Sequence, residues 1–271
     1  MSLETNRLVR TFEKLGEANK KTLLPFLTAG HPDLDATLAL LKEFEVRGAK
    51  ICELGVPFSD PIADGPTIQS SYIQALERGV TPGKVFETVR RYRQDGGQMA
   101  LLAMVSFSIV YRYGVRDFIQ AAAGAGFDGL IIPDMSLEEA DNLSTLCDQA
   151  GLCNVMLVTP NTPEQRKLRI ASYSTGFLYY VSVSGTTGER TSLPQSTIDG
   201  VAKLRRQTAS PICVGFGISS AELVRTVCAA ADGAIVGSAI VKRISQAADQ
   251  PREQMVRQVG DFVEELLSGT E

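Results

Sequence analysis

Three carboxylates stand close together where an apolar run of the sequence turns polar. Residues 51–69 read ICELGVPFSDPIADGPTIQ and place Glu53, Asp60 and Asp64 among three prolines and two glycines. Apolar residues followed at once by proline, glycine and acids indicate a buried strand that runs into a rigid loop. A carboxylate on a buried strand is costly unless it is solvated, paired or used. Two carboxylates in unlike surroundings can provide one group that transfers protons and one that stays ionised, so this stretch is a candidate acid–base site.

A purely structural explanation exists for the same acids. An aspartate beside a proline often caps the backbone N–H groups of its own turn, and this explanation suits Asp60, which precedes Pro61. Glutamate is a poor turn residue, so the explanation suits Glu53 less well. The residues alone therefore favour chemistry at Glu53 and a turn at Asp60.

Glycine-rich turns follow three of the later apolar segments. They read SGTTG at 184–188, GFGIS at 215–219 and VGSA at 236–239. Glycine lets backbone amides approach a ligand closely, and the last turn leads into 239–241, which we predict to be a short helix. The N-terminus of a helix attracts anions. No basic residue lies within these turns, so they predict a phosphate site made of N–H groups and a helix dipole; ordinary tight turns are the alternative.

Eight apolar segments without polar alternation are spaced along the chain, and each is followed by a helical pattern. Strands that are apolar on both faces are typical of a parallel sheet covered by helices. Eight such units in about 250 residues predict an α/β fold, a (β/α)8 TIM barrel, whose site lies at the carboxyl ends of the strands. An open doubly wound sheet is the alternative, but the TAGHPD turn lacks that fold's glycine pattern. The predicted strands are 23–30, 51–58, 100–106, 129–134, 154–159, 176–183, 211–217 and 233–236.

An extra amphipathic helix over residues 4–17 precedes the first strand. No linker or low-complexity segment divides the chain, so we predict a single barrel domain over residues 1–271. Helix starts after the fourth and seventh strands are marked by capping boxes, in which a serine precedes a glutamate by three residues. The two boxes are Ser136 with Glu139 and Ser219 with Glu222.

The composition excludes several classes of protein. The net charge of −4, from 27 basic and 31 acidic residues, gives no electrostatic footprint for nucleic acid. The apolar runs are too short to cross a membrane, and the charged N-terminal stretch lacks the apolar core of a signal peptide. Five cysteines without a CxxC pair indicate buried thiols in a reducing compartment, so we expect a cytoplasmic protein. Because His31 is the one histidine, a histidine-based metal site or a Ser-His-Asp triad built elsewhere is excluded.

Six motifs in chain order resemble the tryptophan synthase alpha subunit family. They are LPFLTAGHPD, CELGVPFSDPIADGPTIQ, GLIIPD followed by EEA, YYVSVSGTTG, VGFGIS and ADGAIVGSAIV. The second motif is long and specific, and the resemblance covers nearly the whole chain. It implies a (β/α)8 barrel that cleaves indole-3-glycerol phosphate to indole and D-glyceraldehyde 3-phosphate. It also implies a reaction without a cofactor or a metal, carried out as the alpha subunit of tryptophan synthase in tryptophan biosynthesis.

The resemblance also implies roles for individual residues. The family's acid–base glutamate corresponds to Glu53, and its aspartate that holds the indole N–H corresponds to Asp64. One mobile carboxyl group can shuttle the protons of a retro-aldol cleavage, and a second, ionised group can stabilise an indolenine-like intermediate. For Phe26 and Tyr179, a place in the barrel core is the alternative. The implied substrate-binding residues are Phe26, Tyr179, Thr187, Gly188, Phe216, Gly217, Gly237 and Ser238.

Three loops depart from the family pattern. His31 stands where the family usually has the sequence GDP, SFS at 106–108 stands for a Tyr-x-Asn-Pro-like run, and Ser136 stands for a proline. These loops face the beta subunit in the family's complex, so we expect a weakened or altered interface with a beta partner; His31 itself we place in a surface loop. Two alternatives are a stand-alone indole-3-glycerol phosphate lyase that feeds another indole pathway, and a non-catalytic barrel paralogue that binds a partner. Intact Glu53 and Asp64 argue against the non-catalytic alternative.

Overall fold

The computed structural model describes residues 3–61, 64–182, 194–215 and 217–271. Within these ranges, parallel strands form a closed barrel in which each strand pairs with the next in the chain and β1 pairs with β8. The predicted (β/α)8 barrel is confirmed, and the open sheet is excluded because the pairing of β1 with β8 closes it. The strands are β1 (Thr22–Thr28), β2 (Ile51–Gly55), β3 (Ala100–Met104), β4 (Gly129–Ile131), β5 (Cys153–Val158), β6 (Leu178–Val181), β7 (Ile212–Gly215) and β8 (Gly233–Val236).

Helices connect the strands, and α1 precedes the first of them, so the predicted extra helix is confirmed. The helix after β6 begins at Gln195, and the closing helix ends at Leu267. The helices of the described residues are α1 (Arg7–Glu17), α2 (Leu34–Val46), α3 (Pro66–Glu77), α4 (Pro82–Gln94), α5 (Phe107–Tyr113), α6 (Val115–Ala125), α7 (Ala140–Ala150), α8 (Glu164–Tyr173), α9 (Gln195–Arg205), α10 (Ala221–Cys228), α11 (Ser238–Ala247) and α12 (Arg252–Leu267).

Both faces of each strand are buried, because the barrel interior and the ring of helices both exclude water. On β2, Cys52 and Leu54 pack toward the helices, whereas Ile51 points into the barrel. Side chains alternate between the two faces of a strand, so Glu53 also points inward. The interior receives at least one residue from every strand, such as Leu24, Ile51, Leu102, Ile131, Val155, Tyr179, Cys213 and Ile235.

Helix α1 covers the amino-terminal end of the barrel. The ring of Phe12 joins the interior cluster and lies 5.6 Å from the ring of Phe177. Asn6 caps α1 by accepting a backbone N–H of its first turn. Its Nδ2 donates to the carbonyl oxygens of Asp128 (2.7 Å) and Gly151 (2.8 Å). Because this end is closed by packing, a ligand has to enter from the other end.

Several predicted strands extend past the observed ones at their carboxyl ends. The segment predicted over 51–58 leaves the sheet after Gly55, although Val56 is still buried and its N–H bonds to the carbonyl oxygen of Met104 (2.8 Å). Burial therefore continues where the ladder stops, and hydrophobicity alone does not mark the end of a strand. The last strand matches its predicted range, Gly233–Val236.

Neither predicted capping box forms as expected. Helix α7 begins at Ala140, and the hydroxyl of Ser136 donates instead to the carboxylate of Glu139 (3.1 Å). Helix α10 is capped by Ser220, whose Oγ accepts a backbone N–H at 3.3 Å, so the predicted Ser219 lies one residue too early. Adjacent serines offer the same capping chemistry, and only the backbone conformation selects between them.

The five cysteines are all buried and none forms a disulfide, so the prediction of buried thiols is confirmed. In the part of the chain that the structure describes, no helix combines the length and the apolar character that crossing a membrane requires.

Candidate active site

Glu53 lies inside the carboxyl-terminal mouth of the barrel. It pairs in register with Phe26 of β1 and Leu102 of β3, and 1% of its surface is exposed. Its Oε1 atom is buried and has no hydrogen-bond partner among the described residues. Burial disfavours the charged form and raises the pKa of Glu53 to about 8. At neutral pH the side chain is therefore mainly protonated and can donate a proton.

Asp64 lies in the loop after β2, two residues before α3. Its N–H donates to the carbonyl oxygen of Pro61 (3.1 Å), and its own carbonyl accepts from Gln69 Nε2 (2.8 Å), so this part of the loop is held in place. Asp64 is half-buried and lines a cleft together with Tyr72. Burial raises the pKa of Asp64 to about 6, so at neutral pH it is mainly ionised. Asp60 is exposed at the rim of the same cleft.

Two aromatic side chains wall the mouth. Phe26 and Tyr179 are 4% and 3% exposed, and glycines on neighbouring strands make room for their rings. A Cβ on Gly55 would stand 2.5 Å from Phe26 Cζ, and a Cβ on Gly215 would stand 2.2 Å from Tyr179 Oη. Burial, and then the charges of the two carboxyl groups, hold the pKa of Tyr179 well above its usual range. Both rings belong to the barrel core and also border the mouth, so the two explanations offered by the sequence are compatible.

The loop after β8 opens directly into a helix beside this wall. Gly237 is the N-terminal cap of α11, and its carbonyl accepts from the N–H of Ile240 (2.9 Å). The predicted short helix is thus a ten-residue helix that begins at Ser238. A Cβ on Gly237 would lie 3.6 Å from Phe26. Gly217, in the loop after β7, has φ +83°, a conformation that favours glycine.

Three predicted site residues lie outside the described residues: Thr187, Gly188 and Phe216. The described part of the predicted phosphate site therefore consists of Gly217, Gly237 and the N-terminus of α11.

A helix that the sequence did not predict, α5, follows β3. Ser106 caps it by accepting the N–H of Ser108 (3.3 Å) and donates its hydroxyl to Asp134 Oδ2 (2.7 Å). The N–H of Phe107 donates to Asp134 Oδ1 (2.8 Å). Residues 106–108, where the sequence departs from the family pattern, therefore tie the loops after β3 and β4 together. The available signal was the serine at the end of the strand, which is a preferred N-cap residue.

Sequence reasoning also missed Tyr72, Gly55 and Gly215 as residues of the mouth. The spacing of Ile68, Tyr72 and Ala75 on α3 looks like the core-facing stripe of any surface helix. Nothing in that pattern reveals which side chain reaches past the strands into the barrel.

The prediction of a surface position for His31 is wrong. His31 is 1% exposed, and its Nε2 lies 2.9 Å from Ser245 Oγ on α11. Burial, followed by the charge of Arg78, lowers the pKa of His31 to about 4, so the ring is neutral at neutral pH. Glycine and proline around His31 mark a turn, but they do not show that α11 covers it.

The comparison with known proteins decides the family. A family model described as Tryptophan synthase alpha chain matches residues 12–270. The chain belongs to the tryptophan synthase alpha chain family. The tryptophan synthase alpha chain of Rhodopirellula baltica is 45% identical over 264 residues, which cover 94% of this chain and 95% of the relative. That of Geotalea uraniireducens is 42% identical over 265 residues, which cover 97% of each chain.

Solved structures agree with this assignment. The crystal structure of tryptophan synthase subunit alpha from Legionella pneumophila is 33% identical and superposes with a TM-score of 0.90 over 98% of both chains. Membership of the tryptophan synthase alpha chain family makes this protein a lyase of tryptophan biosynthesis.

Proposed function

We propose that this chain cleaves the carbon–carbon bond of indole-3-glycerol phosphate and releases indole and D-glyceraldehyde 3-phosphate. The observation that carries the proposal is the contrast between the two carboxyl groups of the mouth. Glu53 is buried, and one of its oxygens has no hydrogen-bond partner within the described ranges, whereas Asp64 is half-buried in the adjacent loop. Their pKa values of about 8 and about 6 make one an acid and the other an anion near pH 7.

The reaction needs one proton delivered and one removed. Glu53 donates a proton to C3 of the indole ring and accepts the proton of the C3′ hydroxyl. As that hydroxyl becomes the aldehyde carbonyl, the C3–C3′ bond breaks and its electron pair returns to the indole ring. Asp64 accepts a hydrogen bond from N1–H and stabilises the positive charge of the intermediate. The protons balance, and water is not consumed.

The substrate phosphate would be bound at the N-terminus of α11. Gly237 and Ser238 begin this helix, and the free N–H groups and the dipole of a helix N-terminus favour an anion. Phe26 lies between this N-terminus and Glu53, because it contacts the Gly237 position and pairs with Glu53. This arrangement supports a single mouth that binds both the indole end and the phosphate end of one substrate.

The reaction is tested by incubating the purified chain with indole-3-glycerol phosphate, with and without a beta subunit from the same source. We expect equal amounts of indole and D-glyceraldehyde 3-phosphate. A product ratio that departs from one, or the absence of both products with and without the beta subunit, would refute carbon–carbon cleavage.

The wild-type kcat/KM is expected to rise as Asp64 ionises near pH 6 and to fall as Glu53 loses its proton near pH 8, because kcat/KM reports the free enzyme. Asp64→Asn should lower kcat/KM and remove the limb near pH 6, since asparagine stays neutral, while the limb near pH 8 remains. Product inhibition by D-glyceraldehyde 3-phosphate should be unchanged. Asp60→Asn, at the exposed rim of the same cleft, is the matched control and should retain both limbs. If the Asp64→Asn profile keeps its acid limb, another group carries it.

We also propose that the chain pairs with a beta subunit through an altered surface. The alpha chain name of its relatives implies such a partner. The segment that departs from the family pattern, residues 106–108, caps and begins α5. Tyr111 of this helix is 73% exposed, and its ring lies 6.2 Å from that of Phe107. Exposed aromatic residues are frequent binding anchors. The buried free thiols support a cytoplasmic location for the complex.

Adding the beta subunit should raise the turnover of indole formation, and Tyr111→Ala should weaken the complex by about tenfold because it removes an aromatic anchor. Basal turnover of the variant alone should be unchanged. The measurements are titration of activity with the beta subunit and sizing chromatography. Val46→Ala removes another exposed apolar side chain (80% exposed), from the end of α2, and should have no effect. If Tyr111→Ala and Val46→Ala bind the beta subunit equally well, the proposed contact is contradicted. If the turnover of the wild type does not change when the beta subunit is added, the chain acts as a stand-alone lyase.

A further inference from the structure

Helix α3, which follows Asp64, carries a phenol into the barrel mouth. Tyr72 lies on its second turn and is 3% exposed. The neighbouring Ser71 anchors the helix, because its Oγ and Thr28 Oγ1 of β1 form a buried hydrogen bond of 2.7 Å. Ser71 also donates to the carbonyl oxygen of Ile68 (2.7 Å). The position of Tyr72 relative to the barrel is therefore fixed by packing and by a buried polar contact.

The hydroxyl of Tyr72 lies over the last residue of β2. A Cβ on Gly55 would stand 2.7 Å from Tyr72 Oη, and the edge of Phe26 borders the same point. The absence of a side chain at Gly55 is what admits the phenol. Tyr72 also lines the cleft that contains Asp64, so its hydroxyl borders the surroundings of both carboxyl groups.

Glu53 can reach this hydroxyl. Glu53 and Gly55 are alternate residues of one strand, so both face the interior and lie about 6.6 Å apart along it. The Tyr72 hydroxyl stands near the point where a side chain of Gly55 would begin. A Glu53 side chain turned toward the mouth spans most of the remaining distance, and its Oε1 is the oxygen without a partner among the described residues.

The charge states fit a donor and an acceptor. Burial, followed by the charges of Asp64 and Glu53, holds the pKa of Tyr72 well above its usual range, so the phenol keeps its proton while Glu53 titrates. Apolar side chains of neighbouring strands fill the barrel interior, and those of Phe26 on β1 and Leu102 on β3 belong to the residues that pair in register with Glu53. The titratable groups that interact with Glu53 from its own strand and the elements packed against it are Cys52, Tyr72, Tyr179 and Cys213. Asp64, in the adjoining loop, interacts with Tyr72 and Tyr179.

We propose that Tyr72 is a positioning residue for the acid–base group. When Glu53 has given up its proton, the Tyr72 hydroxyl donates a hydrogen bond to the Glu53 carboxylate and holds it toward the mouth, ready to take the next proton. The inference rests on the proposed function, because it assigns to Tyr72 the support of the group that transfers protons there.

Tyr72→Phe removes this donor and one oxygen atom only. We expect kcat to fall about 10- to 100-fold, the range for a lost hydrogen bond to a charged group, with KM changed by less than about twofold. The alkaline limb of kcat/KM should move to higher pH, because loss of a donor to the charged form raises the pKa of Glu53.

A matched control is available on β6. Tyr180 is also a fully buried phenol, and its hydroxyl has no partner among the described residues. It faces Gly200 of α9, on the outside of the barrel. Tyr180→Phe should therefore leave kcat and both pH limbs unchanged.

The second readout is a double-mutant cycle. If Tyr72 acts through Glu53, adding Tyr72→Phe to Glu53→Gln should cause no further loss of kcat. An additive loss, or wild-type kcat and pH profile in Tyr72→Phe alone, would overturn the proposal.

Infrared titration of the Glu53 carboxyl group in the ligand-free protein separates this inference from the function. The difference between wild type and Glu53→Gln identifies the band, and Tyr72→Phe should shift its midpoint to higher pH. This shift does not depend on turnover. A wild type without lyase activity would refute the function alone, whereas an active wild type with an unshifted midpoint in the variant would refute the role of Tyr72 alone.

Discussion

Glu53→Gln is expected to lower kcat for indole formation by roughly 10²–10⁴-fold, the contribution typical of a positioned acid–base group. Glutamine has nearly the same shape and can still occupy the interior position, but it can neither donate a proton to the indole ring nor accept one from the hydroxyl. Binding of substrate should survive, because the phosphate and indole contacts lie on other residues. Steady-state kinetics of the variant with and without the beta subunit measure both quantities.

Stability provides an internal check on the same variant. The pKa of Glu53 is about 8 in the folded chain against an ordinary value of 4.5. Below pH 4.5 the carboxyl group is protonated in both states; as the pH rises to 8, it ionises in the unfolded chain first and wild-type stability falls. The Glu53→Gln variant does not lose stability in this way, because glutamine does not ionise. The free energy of unfolding of Glu53→Gln relative to wild type should therefore rise from pH 4.5 to 8 and then level off.

The combination of lower activity with equal or greater stability is the expected signature of a buried catalytic carboxyl group. Glu265→Gln, an exposed position on α12, should change neither quantity. If Glu53→Gln turns over substrate as fast as the wild type, Glu53 is not the acid–base group.

Gly237→Asp should abolish measurable cleavage at substrate concentrations that saturate the wild type. The new carboxylate would stand at the N-terminus of α11, where the substrate phosphate is proposed to bind, and like charges repel. Aspartate is a preferred N-cap residue, and the φ of −111° at Gly237 lies outside the left-handed region; circular dichroism of the variant checks that it folds. Isothermal titration with D-glyceraldehyde 3-phosphate measures the loss of binding directly.

Gly237→Ala separates charge from bulk. Its Cβ would lie 3.6 Å from Phe26, an ordinary van der Waals contact, so we expect at most a small rise in KM. Affinity for the phosphate ligand that is equal in Gly237→Asp, Gly237→Ala and wild type would place the phosphate elsewhere.

The strands were predictable from the sequence because each is apolar on both faces. The range of β8 was predicted correctly, whereas β2 was predicted to continue past Gly55, where Val56 is still buried and bonded to Met104 but the strand has ended. Helix α5 was missed because its short run of residues 107–113 carries little amphipathic pattern, and its cap depends on Asp134 from another loop.

Local pattern and resemblance predict Glu53 and Asp64 as catalytic residues, but the surroundings of both side chains depend on tertiary contacts. The pKa values of Glu53 and Asp64 follow from how completely the barrel buries each side chain, which no spacing in the sequence expresses. Tyr72 over Gly55 and Tyr179 over Gly215 are contacts between different elements. The apolar pattern of a helix or a strand predicts which side chains are buried, but it does not predict which residues of other elements they contact.

The contacts between α1 and the amino-terminal end of the barrel constrain the order in which the parts of the chain can fold. Asn6 bonds to carbonyl groups 122 and 145 residues further along, and Phe12 packs on Phe177. A ribosome synthesises α1 before β4 through β6, so the apolar face of α1 stays uncovered until those strands have been made. Docking of α1 therefore comes late in folding, although the helix is synthesised before most of the barrel that it covers.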